Sequence, residues 1–255
     1  MSTQTITIII TALIPVLVLI IYIYRKDNIN PEPTGQIVKA FLLGILTVPL
    51  SFTVSIPLML VGAYTDFVVT ISDAIKISFY GAAIPEELAK LFVLWLVLRK
   101  NKYFDEKMDG IVYAVCVSMG FAAFENITYL FNSADTFLQV GTMRAFTAIP
   151  GHFCFGIAMG YYYSLAKFEK KNKVKNIIMT FVAPIAIHGI YDSILFSMGT
   201  LEFYDINSLL ADIIVLAFTA LFIFFCFKMW KWASVRIHEH IERDKSDIFK
   251  RNKFE

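Results

Sequence analysis

The sequence predicts an all-α, polytopic integral membrane protein with about seven transmembrane helices, an eighth being possible, an outside N-terminus and a cytoplasmic C-terminus. Three observations predict it. Of 255 residues, 57% are hydrophobic and 17% charged, too little charge to cover the surface of a soluble domain this long. Apolar runs recur seven times, each near the ~20 residues that cross a hydrocarbon core. Twenty of the 23 Lys and Arg fall in alternate connections or in the tail.

The first run, 4–24, has no Lys or Arg before it and no small-residue cleavage site after it. Tyr22, Tyr24, Arg25 and Lys26 follow instead, so it is expected to be a retained span and not a signal peptide. The second covers 36–62. Residues 64–78 hold Asp66, Asp73 and Lys76 and are too polar for a comfortable span; an amphipathic or re-entrant piece is expected there. The remaining runs are 79–98, 109–131, 146–166, 177–198 and 208–228. Arg25, Lys26 and Lys39 lie between spans one and two, four basic residues between three and four, five between five and six, and eight in the tail. The loops near 63–75, 132–143 and 199–207 carry none. The positive-inside rule places the N-terminus outside, and an odd number of spans agrees.

No repeat or long linker divides the chain, so residues 1–227 are expected to form one helical domain. Residues 228–255 are expected to be a charged cytoplasmic tail, a solvated juxtamembrane helix on anionic lipid. Cys116, Cys154 and Cys226 each stand alone in an apolar stretch and suggest small core residues. His238 and His240, on the tail, are discounted as metal ligands. Arg144 is expected to snorkel to the interface, and Tyr161, Tyr162 and Tyr163 to join an interfacial belt. The net charge of +2 gives no reason to expect a nucleic-acid partner; the lipid bilayer is the expected surroundings.

Inside the spans between 79 and 198 lie Glu86, Glu87 and Lys90, then Glu125 and Asn126, then His152, then His188 and Asp192. Ionisable groups cost a few kcal/mol each in hydrocarbon and mark function when they gather. Glu86 is 13 residues from Arg99, Glu125 is 16 from Asp109, His152 is 15 from Lys167 and His188 is 13 from Lys175. At ~1.5 Å per residue, all four lie 20–24 Å from the cytoplasmic ends of their helices, within ~5 Å of one depth. Glu86 and Lys90 are i,i+4 on one helix face, as are His188 and Asp192, which suits an ion pair and an oriented imidazole. Pro85 can start a helix with both glutamates in its first turn. Asn126 can donate to a developing negative charge.

The ordered set Glu86-Glu87-x-x-Lys90, Phe121-x-x-x-Glu125-Asn126, Gly151-His152-Phe153 and His188-x-x-x-Asp192 resembles the PrsW family of bacterial intramembrane proteases. That family is similar in turn to the wider group of CAAX prenyl endopeptidases and Abi-type membrane proteins. Where the wider group has Phe-x-x-x-His, this chain has Phe121-x-x-x-Glu125. The resemblance implies a protease of the bacterial cell membrane. It would make the first, outer-side cut in a single-span membrane protein such as an anti-sigma factor, in a stress response.

Two chemistries fit the residues. In one, without cofactor, Glu86 or Glu87 is the general base on water and Glu125 shares the proton. His152 and His188 then serve as oxyanion donors or proton carriers, and Asp192 orients His188. In the other, Glu125, His152 and His188 bind zinc and Glu86 is the base; the lack of an HExxH pair weighs against it. A proton-coupled transporter, or a scaffold fastened by its polar cluster, also remains open.

Overall fold

The computed structural model describes residues 2–204 and 207–254. These are helical nearly throughout. Helix α1 spans Thr3–Lys26; Thr34–Ile45 is α2, and after a break at Leu46 the second apolar run continues as α3, Thr47–Leu60. Helix α4, Ile71–Lys76, leads through a π-helical segment, Ile77–Ala83, into α5, Ile84–Leu98. Then follow α6 (Lys107–Asn132), α7 (Phe137–Phe146), α8 (Ala148–Phe168), α9 (Lys173–Gly199), a 3₁₀ turn (Thr200–Phe203) and α10 (Ser208–Phe254).

All seven apolar runs are thus helical. Five helical stretches are long and apolar enough to cross a membrane by length and composition: 3–26, 34–60, 107–132, 173–203 and 208–250. Leu60, Val61 and Phe146 are each more than 75% exposed, a surface that suits lipid and not water.

Helix α6 is the axis of the bundle. It is buried over most of its length and packs against α8, α2 and α1. Close approach explains why: a Cβ on Gly120 would lie 2.1 Å from the Phe41 carbonyl oxygen, and one on Gly160 would lie 2.3 Å from that of Gly110. Two backbone crossings, α2 on α6 and α6 on α8, therefore exist only because these positions carry no side chain.

Three expectations need correction. The polar stretch 64–78 is neither a separate amphipathic or re-entrant piece nor an eighth crossing. From Ile71 it is the first turns of the helix that becomes α5, started by a reciprocal Thr70–Asp73 cap. The connection before residue 146 holds an additional helix, α7. The tail is no solvated appendage: α10 runs unbroken from the last apolar run, and its far half docks on the bundle. There Asp244 accepts from the amides of Lys107 and Met108, capping α6 at 3.0 and 2.8 Å. His240 stacks on Tyr161 at 4.5 Å, so Tyr161 is buried under the tail and is not a belt residue. Cys116 and Cys154 are buried free thiols, and Cys226 is half-buried.

Candidate active site

Pro85 sets the local geometry of the first motif. Proline has no amide hydrogen and its ring crowds the carbonyl four residues back, so an ordinary helix is disrupted here. The chain answers by widening to π-helix over Ile77–Ala83, where the Ile84 N–H donates to Phe79 O, five residues back. Such a widening commonly accompanies a functional site. Glu86 and Glu87 follow in the first turn of α5, where the positive end of the helix dipole favours carboxylates.

Lys90 is the centre of the cluster. Its Nζ donates to Glu86 Oε2 at 3.2 Å and Glu87 Oε1 at 2.8 Å, and lies 3.4 Å from His152 Nδ1. The ammonium also sits 4.0 Å from the centroid of the Phe121 ring, a cation–π contact. An ammonium has no lone pair to offer, so His152 Nδ1 must be the bare nitrogen. Nε2 then carries the hydrogen and donates to Glu125 Oε2 at 2.9 Å.

His188 is set differently. Its Nδ1 faces Glu87 Oε1 at 3.0 Å and its Nε2 faces Asp192 Oδ2 at 3.2 Å, so both nitrogens point at carboxylates and both can donate. The Phe155 ring stacks on it at 4.5 Å. Glu86 Oε2 is 4.0 Å from His188 Nε2.

The fold therefore brings Glu86, Glu87, Lys90, Glu125, His152, His188 and Asp192, from four helices, into one chain of contacts. Lys90, Glu87, His152 and His188 are buried, whereas the side chains of Glu86 and Asp192 keep 14% and that of Glu125 keeps 23% of their exposure.

Two expectations change. Arg144 does not snorkel: its Nη2 donates to Glu125 Oε2 and its Nε to Asn126 Oδ1, both at 2.7 Å, with the guanidinium 3.9 Å from the Tyr129 ring centroid. Asn126 is completely buried and spends its amide on Arg144 and on Ala12 O of α1, at 2.9 Å. It ties α1, α6 and α7 together and does not reach the cluster's centre. Sequence reasoning missed Arg144 as part of the site. The one available signal was that it is the sole basic residue between 108 and 166.

A model of the PrsW family of intramembrane metalloproteases matches residues 32–226. The chain belongs to this family. Three relatives called Protease PrsW agree. That of Clostridioides difficile is 39% identical over 187 residues, 72% of this chain and 77% of the relative. That of Oceanobacillus iheyensis is 38% identical over 73% of this chain and 83% of its own. That of Bacillus subtilis is 31% identical over 74% and 83%. No solved structure matches. As a PrsW family member the protein is a peptidase and a multi-pass protein of the bacterial membrane.

The family description implies a metal, and the residues can be tested for it. Glu125, His152 and His188 do not converge, because His188 turns both nitrogens to Glu87 and Asp192. Glu86, Glu87 and His152 do, with one ligand atom each inside 4.8 Å of the others. But Lys90 Nζ touches all three at 2.8–3.4 Å, so the cation of this cluster is an ammonium. In this arrangement a second cation does not fit among them, since two like charges in one buried pocket repel strongly.

Proposed function

We propose that the protein cuts a single-span membrane protein, an anti-sigma factor being the favoured partner, and makes the first cut from the outer side. The proposed chemistry is carboxylate-activated water without a bound cofactor. One observation carries it. Glu86 is a partly exposed carboxylate of the cluster, and Lys90 and His188 flank it at 3.2 and 4.0 Å while Glu125 and Asp192, also partly exposed, are engaged by Arg144 and His188.

In this reading Glu86 takes a proton from water as the water oxygen attacks the peptide carbonyl carbon. The negative charge that grows on the carbonyl oxygen is met by His188, the candidate donor; His152, whose one N–H is held by Glu125, can serve only when that bond is exchanged. When the C–N bond breaks, the proton on Glu86 or His188 passes to the leaving nitrogen. Glu87, fully buried between Lys90 and His188, positions both; Asp192 orients His188 from the other side. Glu125, gripped by Arg144, fixes the His152 tautomer and shares charge with the glutamate pair. The outer-side location rests on the basic connections facing the cytoplasm.

The test is cleavage of a reconstituted single-span anti-sigma factor by purified protein, with and without a strong zinc chelator, beside Glu86→Gln. Cleavage that survives chelation and is lost in the variant supports the reading. Loss on chelation, restored by zinc, replaces it with a metal mechanism in which Lys90 must leave its present position. A Glu86→Gln protein that cuts normally removes Glu86 from the chemistry.

A further inference from the structure

Between α5, the far end of α8 and the start of α9 lies an apolar groove of about 670 Å³. Its wall on α5 runs from Leu88, the residue after Glu87, to Leu98. At ~1.5 Å per residue that wall is ~15 Å long, half of a ~30 Å hydrocarbon core. The groove is therefore about one leaflet deep, and it ends where the bundle carries its basic connections. Leu91, Phe92, Trp95 and Ile177 line it. Phe92, Trp95 and Ile177 are 49%, 44% and 53% exposed, so the described helices leave this face uncovered.

Two cations stand at the basic end of the groove, Arg99 and Lys167. The Arg99 guanidinium rests on the Trp95 ring, 4.8 Å from its centroid. Among the described residues the arginines in ion pairs are Arg144, Arg236 and Arg243; Arg99 is not one of them. Lys167 spends one N–H on Phe104 O and lies 3.6 Å from the centroid of that ring. Asp105 and Asp109 act on it only from beyond ion-pair distance. Two of its three N–H groups remain to donate.

Two kinds of occupant have apolar bodies that suit such a wall, a lipid and the transmembrane helix of a substrate. Charge decides between them. A single-span substrate carries its own basic flank on the cytoplasmic side, so it would bring like charge to Arg99 and Lys167. It would also cross both leaflets, whereas the groove is one leaflet deep. An anionic phospholipid brings its phosphate to the two cations and its acyl chains to the apolar wall. Basic pockets between membrane helices recognise acidic head groups in this way.

We propose that this groove holds one anionic phospholipid, its phosphate between Arg99 and Lys167 and an acyl chain laid along α5. The lipid fills the space between α5 and the ends of α8 and α9. It thereby braces the helix whose first turn carries Glu86 and Glu87. The site is independent of the peptidase chemistry proposed for Glu86, and binding, not cleavage, reads it.

The probe is phosphatidylglycerol against phosphatidylcholine with the same chains. Native mass spectrometry counts each lipid retained by the full-length protein from micelles that hold both. The proposal expects the wild type to retain the anionic lipid in preference, and Arg99→Gln with Lys167→Gln to lower that preference ~10-fold or more. Lys170→Gln with Lys171→Gln, the same change of charge off the groove, should keep it. Because Lys167 also serves Phe104 O, Arg99→Gln alone carries the test if the double variant does not fold. Equal retention of the two lipids by the wild type overturns the proposal. Equal loss in both double variants overturns it too, by making net charge the cause. Competition by soluble glycerol phosphate would leave a simple anion site, and displacement of the lipid by a single-span peptide would give the groove to a substrate helix; either result overturns it.

Discussion

Arg144 reaches Glu125 across the gap between α7 and α6, and its Nη2 rests 2.7 Å from the Oε2 that also accepts from His152. A single carboxylate oxygen thus serves two donors from two further helices. Charge-assisted bonds of this kind are about twice as strong as neutral ones. They hold the His152 ring at a fixed angle to Lys90.

Arg144→Ala should lower cleavage by ~10-fold or more, since Glu125 loses its permanent cation and Asn126 its donor. Arg144→Lys should recover only part of the rate, because an ammonium cannot span both partners in the guanidinium's planar fork. Cleavage kinetics with matched thermal unfolding in detergent test this. A full rate in Arg144→Ala would make the residue structural only.

Glu87→Gln should destabilise the fold more than Glu86→Gln. Glu87 is the buried partner of both Lys90 and His188, and stripping one partner from a buried ion pair costs about 3 kcal/mol or more. Glu86 keeps 14% of its side-chain exposure and is the proposed base, so its loss should cost turnover with little change in the thermal midpoint. Equal midpoints for the two variants would contradict this division.

Gly120→Ala should be strongly destabilising, because the added carbon meets the Phe41 carbonyl of α2 at 2.1 Å, and backbone cannot step aside as a side chain can. Gly35→Ala on the same helix α2 meets nothing within 4 Å and should be neutral or slightly stabilising. Melting curves of the pair separate close packing from helix propensity.

Asp73 opens the helix that carries Glu86, and its carboxyl is held below the ordinary 3.8 by the Thr70 hydroxyl and nearby amides. A lowered value means that the ionised form is the one the fold favours. The stabilisation is therefore present above pH 3.8 and lost as pH falls through the lower folded value. Hydrogen exchange of amides 71–74 should accelerate in strong acid, and in Thr70→Ala at any pH. Unchanged exchange in Thr70→Ala would mean that packing alone starts this helix.

How much of this was legible in the sequence follows from the range of each contact. Glu86 with Lys90, and His188 with Asp192, are four residues apart, and helix geometry alone puts them together. The shared depth of four motifs follows from counting to the basic ends of their helices. Arg144 was not legible because Glu125 and Asn126 are 19 and 18 residues away, beyond a turn whose direction no local pattern reveals. The break at Leu46 was hidden because both halves are equally apolar. The docking of α10 was hidden because His240 and Asp244 sit in a run of charges that resembles any solvated tail, while their partners Tyr161 and Lys107 lie 79 and 137 residues earlier.

The capping of α6 by Asp244 bears on the order in which the molecule is made. The amides at the head of the central helix are synthesised 137 residues before their acceptor. Until Asp244 has left the ribosome, that helix stands open at the basic end of the bundle. The axis of the molecule is therefore closed by a segment made long after it, and a stop ahead of Asp244 would leave the central helix uncapped.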